Sequence, residues 1–530
     1  GNDFTGAVTA TGAGVSITDK NNLDIASLTD TANGDISLIA GGQLTLPAGT
    51  ISAGSGNLTL ASNGGTLITQ GSLSGQNVSL SGSNGITLGN SVTATGTLTL
   101  ASSNAGIDQT AGIITAGTLT GSSAGDTTLD EANLVGILGS FSAKDFSLTN
   151  AQALTVSNPL TTTGGTGDIS LTTTNGALNV DTDLTGTDVA LKSAGDLGLA
   201  GNVSGTTVEL VSGGNITQSG GIVTAGTLSG SSVGDTTLTG ANLIGTLGSF
   251  SAKDFSLTDA QALTVSGPLT TTGNTGNIAL KTTSGVLTVN TALAGADINL
   301  NSAGNLTLGN NVNGTTVELV SGGNITQSGG ILTAGTLSGS SVGSTALNQA
   351  NKVTNLGNFT AAGFSLTDAQ ALTVAAGATV NGGASTMLAT TSGNLTVNGT
   401  VKGTATTLTS AGAIGEGANG MVNATTLSGS SVGDTTLTGA NLIGTLGSFS
   451  AKDFSLTDAQ ALTVSGPLTT TGNTGNIALK TTSGVLTVNT ALAGADINLN
   501  SAGNLTLGNN VNGTTVELVS GGNITQSGGI

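Results

Sequence analysis

Asp297-Ile-Asn-Leu-Asn-Ser-Ala-Gly-Asn-Leu-Thr-Leu-Gly-Asn-Asn-Val-Asn-Gly314 alternates aliphatic with polar residues and breaks the alternation at Gly and Asn. A period of two marks strands with one buried face. The strands are too short to form hairpins of their own, and Gly and Asn between them supply the left-handed backbone angles of tight bends. Three short strands per turn, each pairing with its equivalent one turn on, predict an all-β chain. The expected fold is a right-handed parallel β-helix of about 20 residues per rung. At a strand spacing of roughly 4.8 Å, some 25 such rungs would make a rod on the order of 120 Å long.

The rhythm extends along the chain in both directions from this stretch. Ile278, Ile298, Val317 and Leu337 each open an alternating run, at spacings of 20, 19 and 20 residues. Ile36, Leu58, Val78 and Leu98 do the same nearer the start, where Val15-Ser-Ile-Thr-Asp19 echoes Phe255-Ser-Leu-Thr-Asp259. A longer repeat is superposed. Thr118-Leu-Thr-Gly-Ser-Ser-Ala-Gly-Asp126 returns at Thr227, Thr336 and Thr426, at offsets of 109, 109 and 90 residues. Residues 227–331 and 426–530 are identical, and the chain stops at Ile530 in mid-repeat.

These markers divide a single expected solenoid, 1–530, into divergent repeats (1–117) and four long repeats (118–226, 227–335, 336–425 and 426–530). The third lacks the counterpart of residues 297–315, one whole rung without a slip of frame, and the fourth is truncated. The chain therefore reads as a fragment of a longer protein. Its terminal rungs are expected to expose strand edges that invite end-to-end self-association. A long repeat corresponds to about five rungs, and any surface motif in it should recur at that interval.

Composition narrows the chemistry. Gly accounts for 88 of 530 residues, charged residues for 7% and aromatics for 2%, with no Cys, His, Trp or Tyr, against about 25% charged in an ordinary globular chain. There is no material for a Ser-His-Asp triad, a thiol nucleophile, a disulfide framework or the usual zinc sites. All nine basic residues are Lys and the net charge is -19, so neither nucleic acid nor an anionic lipid surface is an expected partner. No run of 18 apolar residues could span a bilayer, and Gly1-Asn2-Asp3-Phe4 lacks the pattern of a signal peptide. Eight of the nine Phe fall in pairs, Phe141/Phe146, Phe250/Phe255, Phe359/Phe364 and Phe449/Phe454. They are expected to fill a wider section of core where the rung lengthens, with an aromatic ligand shelf as the alternative.

Few residues offer themselves as sites. Gly121 to Gly125, Gly230 to Gly234, Gly339 to Gly343 and Gly429 to Gly433 match G-x-S-x-G, but the nucleophile elbow needs a strand-to-helix turn and a base. The densest carboxylates, Asp130-Glu131 and Asp181-Thr-Asp183, become Thr239-Gly240 and Asn290-Thr-Ala292 one long repeat later. Lys144-Asp145, Lys253-Asp254 and Lys452-Asp453 recur, with Ala362-Gly363 in the third repeat, and read as solvated turn pairs. The calcium-binding nonapeptide is absent, and calcium needs six to eight oxygen ligands. No catalytic, cofactor or metal site is expected, and the chain is not expected to be an enzyme. Thr161 to Thr163 and Thr270 to Thr272 raise a polysaccharide- or ice-binding surface as an alternative, which would require flat Thr arrays on every rung. A polysaccharide-degrading β-helix enzyme is the remaining one.

Repeats reading Gly304-Asn-Leu-Thr-Leu308, or Gly214-Asn-Ile-Thr-Gln218 after Val208-Glu-Leu-Val-Ser-Gly213, resemble the haemagglutinin repeats of filamentous-haemagglutinin-type adhesins, the exoproteins of two-partner secretion. The resemblance covers essentially all 530 residues, and autotransporter passengers share much of it. It implies export through an outer-membrane pore and an extracellular or cell-surface location on a Gram-negative bacterium. It also implies a role in adhesion or biofilm formation, with a cell-surface or matrix polysaccharide as a partner. The family's N-terminal secretion motifs have no match here, Asn158-Pro159-Leu160 being the nearest string. The resemblance is thus to the shaft.

Overall fold

A computed structural model describes residues 1–529. They fall into two compact units, Gly1–Gln261 and Ala262–Ile530, and each is an all-parallel β-solenoid. Among the described residues there is no α-helix. Each rung has one five-residue leg followed by two three-residue legs. In the first unit residues 208–212 form a long leg, Ile216–Gln218 the first short leg and residues 223–225 the second, which runs on unbroken into the next long leg as the strand Val223–Ser232.

The legs stack in register. Ile169, Val189, Val208 and Leu228 form one inward ladder, Leu178, Leu197 and Ile216 a second, and Leu184, Val203 and Val223 a third. None of these ten side chains is more than 1% exposed. The alternating residues between them point outward, which is why the period-two pattern survives every rung. Nearer the N-terminus Val15, Ile36, Leu58, Val78, Leu98 and Leu119 make the long-leg ladder. In the second unit Ile278, Ile298, Val317 and Leu337 do so.

The bends stack as well. Gly213 N donates to Ser193 O at 2.8 Å and Gly214 N to Gly195 O at 3.0 Å. The Asn of each Gly-Asn-aliphatic run links successive bends. Asp235 N donates to Asn215 Oδ1 at 2.9 Å, and Asn215 N donates to Asp196 Oδ1 at 2.7 Å. The side chain of one rung thus accepts the otherwise unpaired amide of the next, which keeps the corners satisfied. Where the sequence reads Thr-Thr-Gly-Asn the connection widens into a single 3-10 turn, Thr272–Asn274, with Gly273 at φ 63° and Asn274 at φ 57°. Gly and Asn are the residues that reach this left-handed region at least cost.

The long repeat does something that periodicity alone did not announce. Each contains one unbroken 17-residue strand: Thr127–Ala143 and Thr236–Ala252 in the first unit, Ser344–Thr360 and Thr435–Ala451 in the second. The first begins against a short-leg column, with Ile107 beside Thr127, and ends against the long-leg column, with Leu119 beside Leu138 and Gly121 beside Phe141. On its other edge the roles are exchanged. Thr127 carries the long leg that starts at Phe146, whereas Leu138 and Phe141 carry the short legs Leu154–Val156 and Leu160–Thr162.

The expectation of simple five-rung recurrence is therefore corrected. From Phe146 one column runs through Ile169, Val189, Val208, Leu228 and Leu247; the chain then steps across to Phe255, which stands on Thr236 and Ile216. A 109-residue repeat is five turns plus a step between columns. In the second unit Phe364, Thr386, Thr406, Leu427 and Leu446 make only four turns before the step to Phe454. The shortened third repeat has lost a turn and kept the exchange.

The Phe pairs sit at these exchanges. Ring centroids are 4.8 Å apart in Phe141/Phe146, 4.9 Å in Phe250/Phe255, 4.7 Å in Phe359/Phe364 and 4.9 Å in Phe449/Phe454, all tilted. All eight are buried, so they form core and present no ligand shelf. The glycine opposite makes room: a Cβ on Gly121 would lie 2.7 Å from Phe141 Cε2, and one on Gly230 3.0 Å from Phe250 Cε2.

Candidate functional surfaces

The serines of the four G-x-S-x-G matches are turn locks. Ser123, Ser232, Ser341 and Ser431 are buried, and each hydroxyl lies 2.8 Å from that of Thr127, Thr236, Thr345 or Thr435 at the start of the 17-residue strand. Each also donates to a glycine carbonyl, as Ser232 does to Gly234 O at 2.7 Å. A strand follows, where the nucleophile elbow requires a helix.

The candidate carboxylates serve rung contacts. Asp130 accepts from Ser147 Oγ, and Asp183 Oδ1 accepts from Asn202 N at 2.9 Å. Glu131 and Asp181 are exposed. A further set lies along one column: Asp145 Oδ1 accepts from Asp168 N at 2.9 Å and Asp168 Oδ1 from Asp188 N at 3.2 Å. The Asp168 amide holds the Asp145 carboxyl below the usual range.

The recurrent lysines pair across rungs more closely than with their sequence neighbours. Lys144 Nζ lies 3.2 Å from Asp126 Oδ1 and 3.6 Å from Asp145 Oδ2; Lys253 lies 3.3 Å from Asp235 and Lys452 3.4 Å from Asp434. The hydrogen bond to Asp126 raises the Lys144 ammonium above its ordinary value. Both partners stay well exposed, so the pairs contribute little to stability. The third repeat replaces both at once, with Ser344 for the Asp and Ala362 for the Lys.

The Thr triplets do not make a flat array. Thr161 and Thr163 are exposed but Thr162 turns inward, where Gly167 N donates to its Oγ1 at 3.2 Å. Threonine ladders do exist elsewhere, one residue wide: Thr264, Thr288, Thr307 and Thr326 stack on successive rungs of the second unit, as do Thr463, Thr487, Thr506 and Thr525. Sequence alone does not display them, because each is a single Thr between two inward residues.

A second set invisible in the sequence is buried at the column exchanges. Gln109 Nε2 donates to Asn133 Oδ1 at 2.8 Å, and Asn133 Nδ2 returns a bond to Gln109 Oε1 at 2.9 Å. Gln218/Asn242 and Gln327/Asn351 repeat the reciprocal pair. Asp259 and Asp368 lie beside the second and third of these pairs, and Asp458 beside Asn441, which bonds Glu416 instead of a Gln; none of the three has exposed surface. Desolvation pushes their carboxyls up to about 6, about 6 and about 7. The sequence carries no signal for them, because only the stacking of rungs shows that they face inward. Comparison with protein-family models, curated proteins and solved structures finds no match to this chain.

Proposed function

We propose that this chain is a structural shaft segment of a secreted or surface-attached bacterial adhesin, extending a binding region from the cell in support of adhesion or biofilm formation. The observation that carries the reading is modular length. Between its two column exchanges the second unit has one turn fewer than the first, yet its ladders keep their register. A binding or catalytic scaffold fixes distances between particular residues; a spacer is indifferent to one rung. Nearest-neighbour pairing also suits a chain that folds as it leaves a Gram-negative outer-membrane pore, each rung adding to the last.

The single-width threonine ladders favour weak contact with cell-surface or matrix polysaccharide as the second reading. The two separate in one experiment, in which whole rungs are added to or removed from the chain between a cell surface and a fused module of known affinity. As a shaft it should change the module's reach and leave its affinity alone. Saturable binding of the unfused chain to isolated surface polysaccharides would replace the spacer reading with the second.

A further inference from the structure

Two inward positions at the column exchanges are filled differently from one exchange to the next. One holds the buried Gln109, Gln218 and Gln327 and then the half-buried Glu416; the other holds Asn150, Asp259, Asp368 and Asp458, all buried. The first exchange has amides at both, and its hydrogen bonds show what each atom must do. Asn150 Oδ1 accepts from Val135 N at 2.8 Å, while its Nδ2 donates to the carbonyls of Val135 and Gln152, both at 2.9 Å. Gln109 donates to Asn133 through Nε2 and accepts through Oε1. Each side chain accepts on one side and donates on the other.

The fourth exchange has acids at both positions. Asp458 Oδ1 accepts from Ile443 N at 2.8 Å, and its Oδ2 is buried without a hydrogen-bond partner among the described residues. Glu416 Oε2 accepts from Gly439 N at 2.7 Å and from Asn441 Nδ2 at 3.1 Å, and its Oε1 is likewise buried and unpartnered among the described residues. In both residues one oxygen accepts, as the amide oxygen does, and the other has no partner among the described residues where the amides have a donating nitrogen. An ionised carboxylate offers no donor, and two of them here would leave the exchange short of the donors that its amide version has, in a place where unmet polar groups are costly.

We propose that Glu416 and Asp458 are neutral carboxylic acids in the folded chain, donating hydrogen bonds as the amides do elsewhere, and that their ionisation loosens the exchange around Thr435–Ala451. The surroundings provide no cation to hold a negative charge. The strand Thr435–Ala451 carries no titratable side chain, the strand Ile477–Thr481 contributes only Lys480, which is exposed on the opposite face, and Met421–Ser431 contributes none. The Lys452–Asp434 pair lies at the outer turn and is exposed. Burial raises both carboxyls, Asp458 to about 7. The sign follows: stability from the protonated acids is complete below their unfolded values near 4 and is lost as the pH rises toward 7.

The chain supplies its own control at the first exchange, where the strand Thr127–Ala143 is held by Gln109 and Asn150 in place of Glu416 and Asp458. The chain has no cysteine, so Ala451→Cys and Ala143→Cys, at positions 3% and 1% exposed, report local opening through thiol labelling. The ratio of the two rates cancels the intrinsic pH dependence of the thiol. Between pH 5 and 8 the ratio is expected to rise at least about tenfold, one unit of pKa shift being tenfold in the opening equilibrium. Adding Glu416→Gln and Asp458→Asn should flatten it; both residues occur naturally at the other exchanges, so folding is preserved. A flat ratio in the parent chain, or a rise that survives the amide substitutions, would overturn the proposal.

Discussion

Replacing Gly230 with alanine should break the second column exchange, and the structure says how. The new Cβ would stand 1.9 Å from Leu210 O, 2.8 Å from Leu210 C and 3.0 Å from Phe250 Cε2. The first two are backbone atoms of the neighbouring rung, so no rotamer change relieves them. Ordinary contact would require the rungs to separate by about 1.5 Å, close to a third of the roughly 4.8 Å between paired strands, at the point where Leu210 pairs with Gly230. The cost is expected at the upper end of overpacking, about 3 kcal/mol. Phe250→Ala alone should cost about 3–5 kcal/mol through the cavity it leaves. If the clash were with the ring, combining the two would rescue the glycine variant. Because the closest atom is a carbonyl oxygen, the double variant should be at least as unstable as Phe250→Ala. Urea denaturation followed by far-ultraviolet dichroism gives the midpoints, and limited proteolysis locates the first cut, expected near residues 230–250. An unchanged midpoint for Gly230→Ala, or rescue in the double variant, would refute the packing described for this exchange.

Deleting residues 297–315 should leave a folded chain one rung shorter, since Thr316 and Val317 then take the places of Asp297 and Ile298 in the register; deleting residues 297–306 should prevent the rung from closing, and similar melting of the two would contradict the rung assignment. Asn215→Ala removes the acceptor of the Asp235 amide and should cost about 1 kcal/mol in chemical denaturation, with Asn324→Ala, the acceptor for Ser344, behaving alike. Lys144→Ala should leave the denaturation midpoint unchanged despite its two carboxylate neighbours, because the group is exposed; a clear loss would show that the rung-to-rung ion pairs matter. Raising the pH from 5 to 8 should lower the stability of the parent chain more than that of a Glu416→Gln/Asp458→Asn variant, read from urea midpoints at each pH.

The rung was legible in the sequence because its determinants are local: Ile298-Asn-Leu300 and Leu306-Thr-Leu308 state which residues face inward, and Gly304-Asn305 states where the chain bends. The column exchange was not, because alternation tells inside from outside without telling which column a strand occupies. Residues 236–252 read only as part of a lengthened rung with few regular openers. The clue lay in arithmetic, since 109 is not a multiple of 19 or 20. The partner of Lys253 was hidden for a related reason. Asp254 is adjacent in sequence, while Asp235 is adjacent only once the rung length is known, although the joint loss of both charges at Ser344 and Ala362 marked the pair. Buried polar residues such as Asn242 and Asp259 look like ordinary turn residues because only stacking shows that they face the core.

The most direct test of the solenoid and its exchange is a pair of distances between spin labels in the cysteine-free chain. Thr217 and Ser256 lie in one column two rungs apart, through Thr237, and substituted with labelled cysteines their backbones should be about 10 Å apart. Ser229 and Ser256 lie on different columns, since Leu228 continues to Leu247 and not to Phe255, and should be clearly farther apart. A short Thr217–Ser256 distance with a longer Ser229–Ser256 distance is the predicted result. The reverse order would mean that successive long repeats stack like on like, and it would contradict the column exchange.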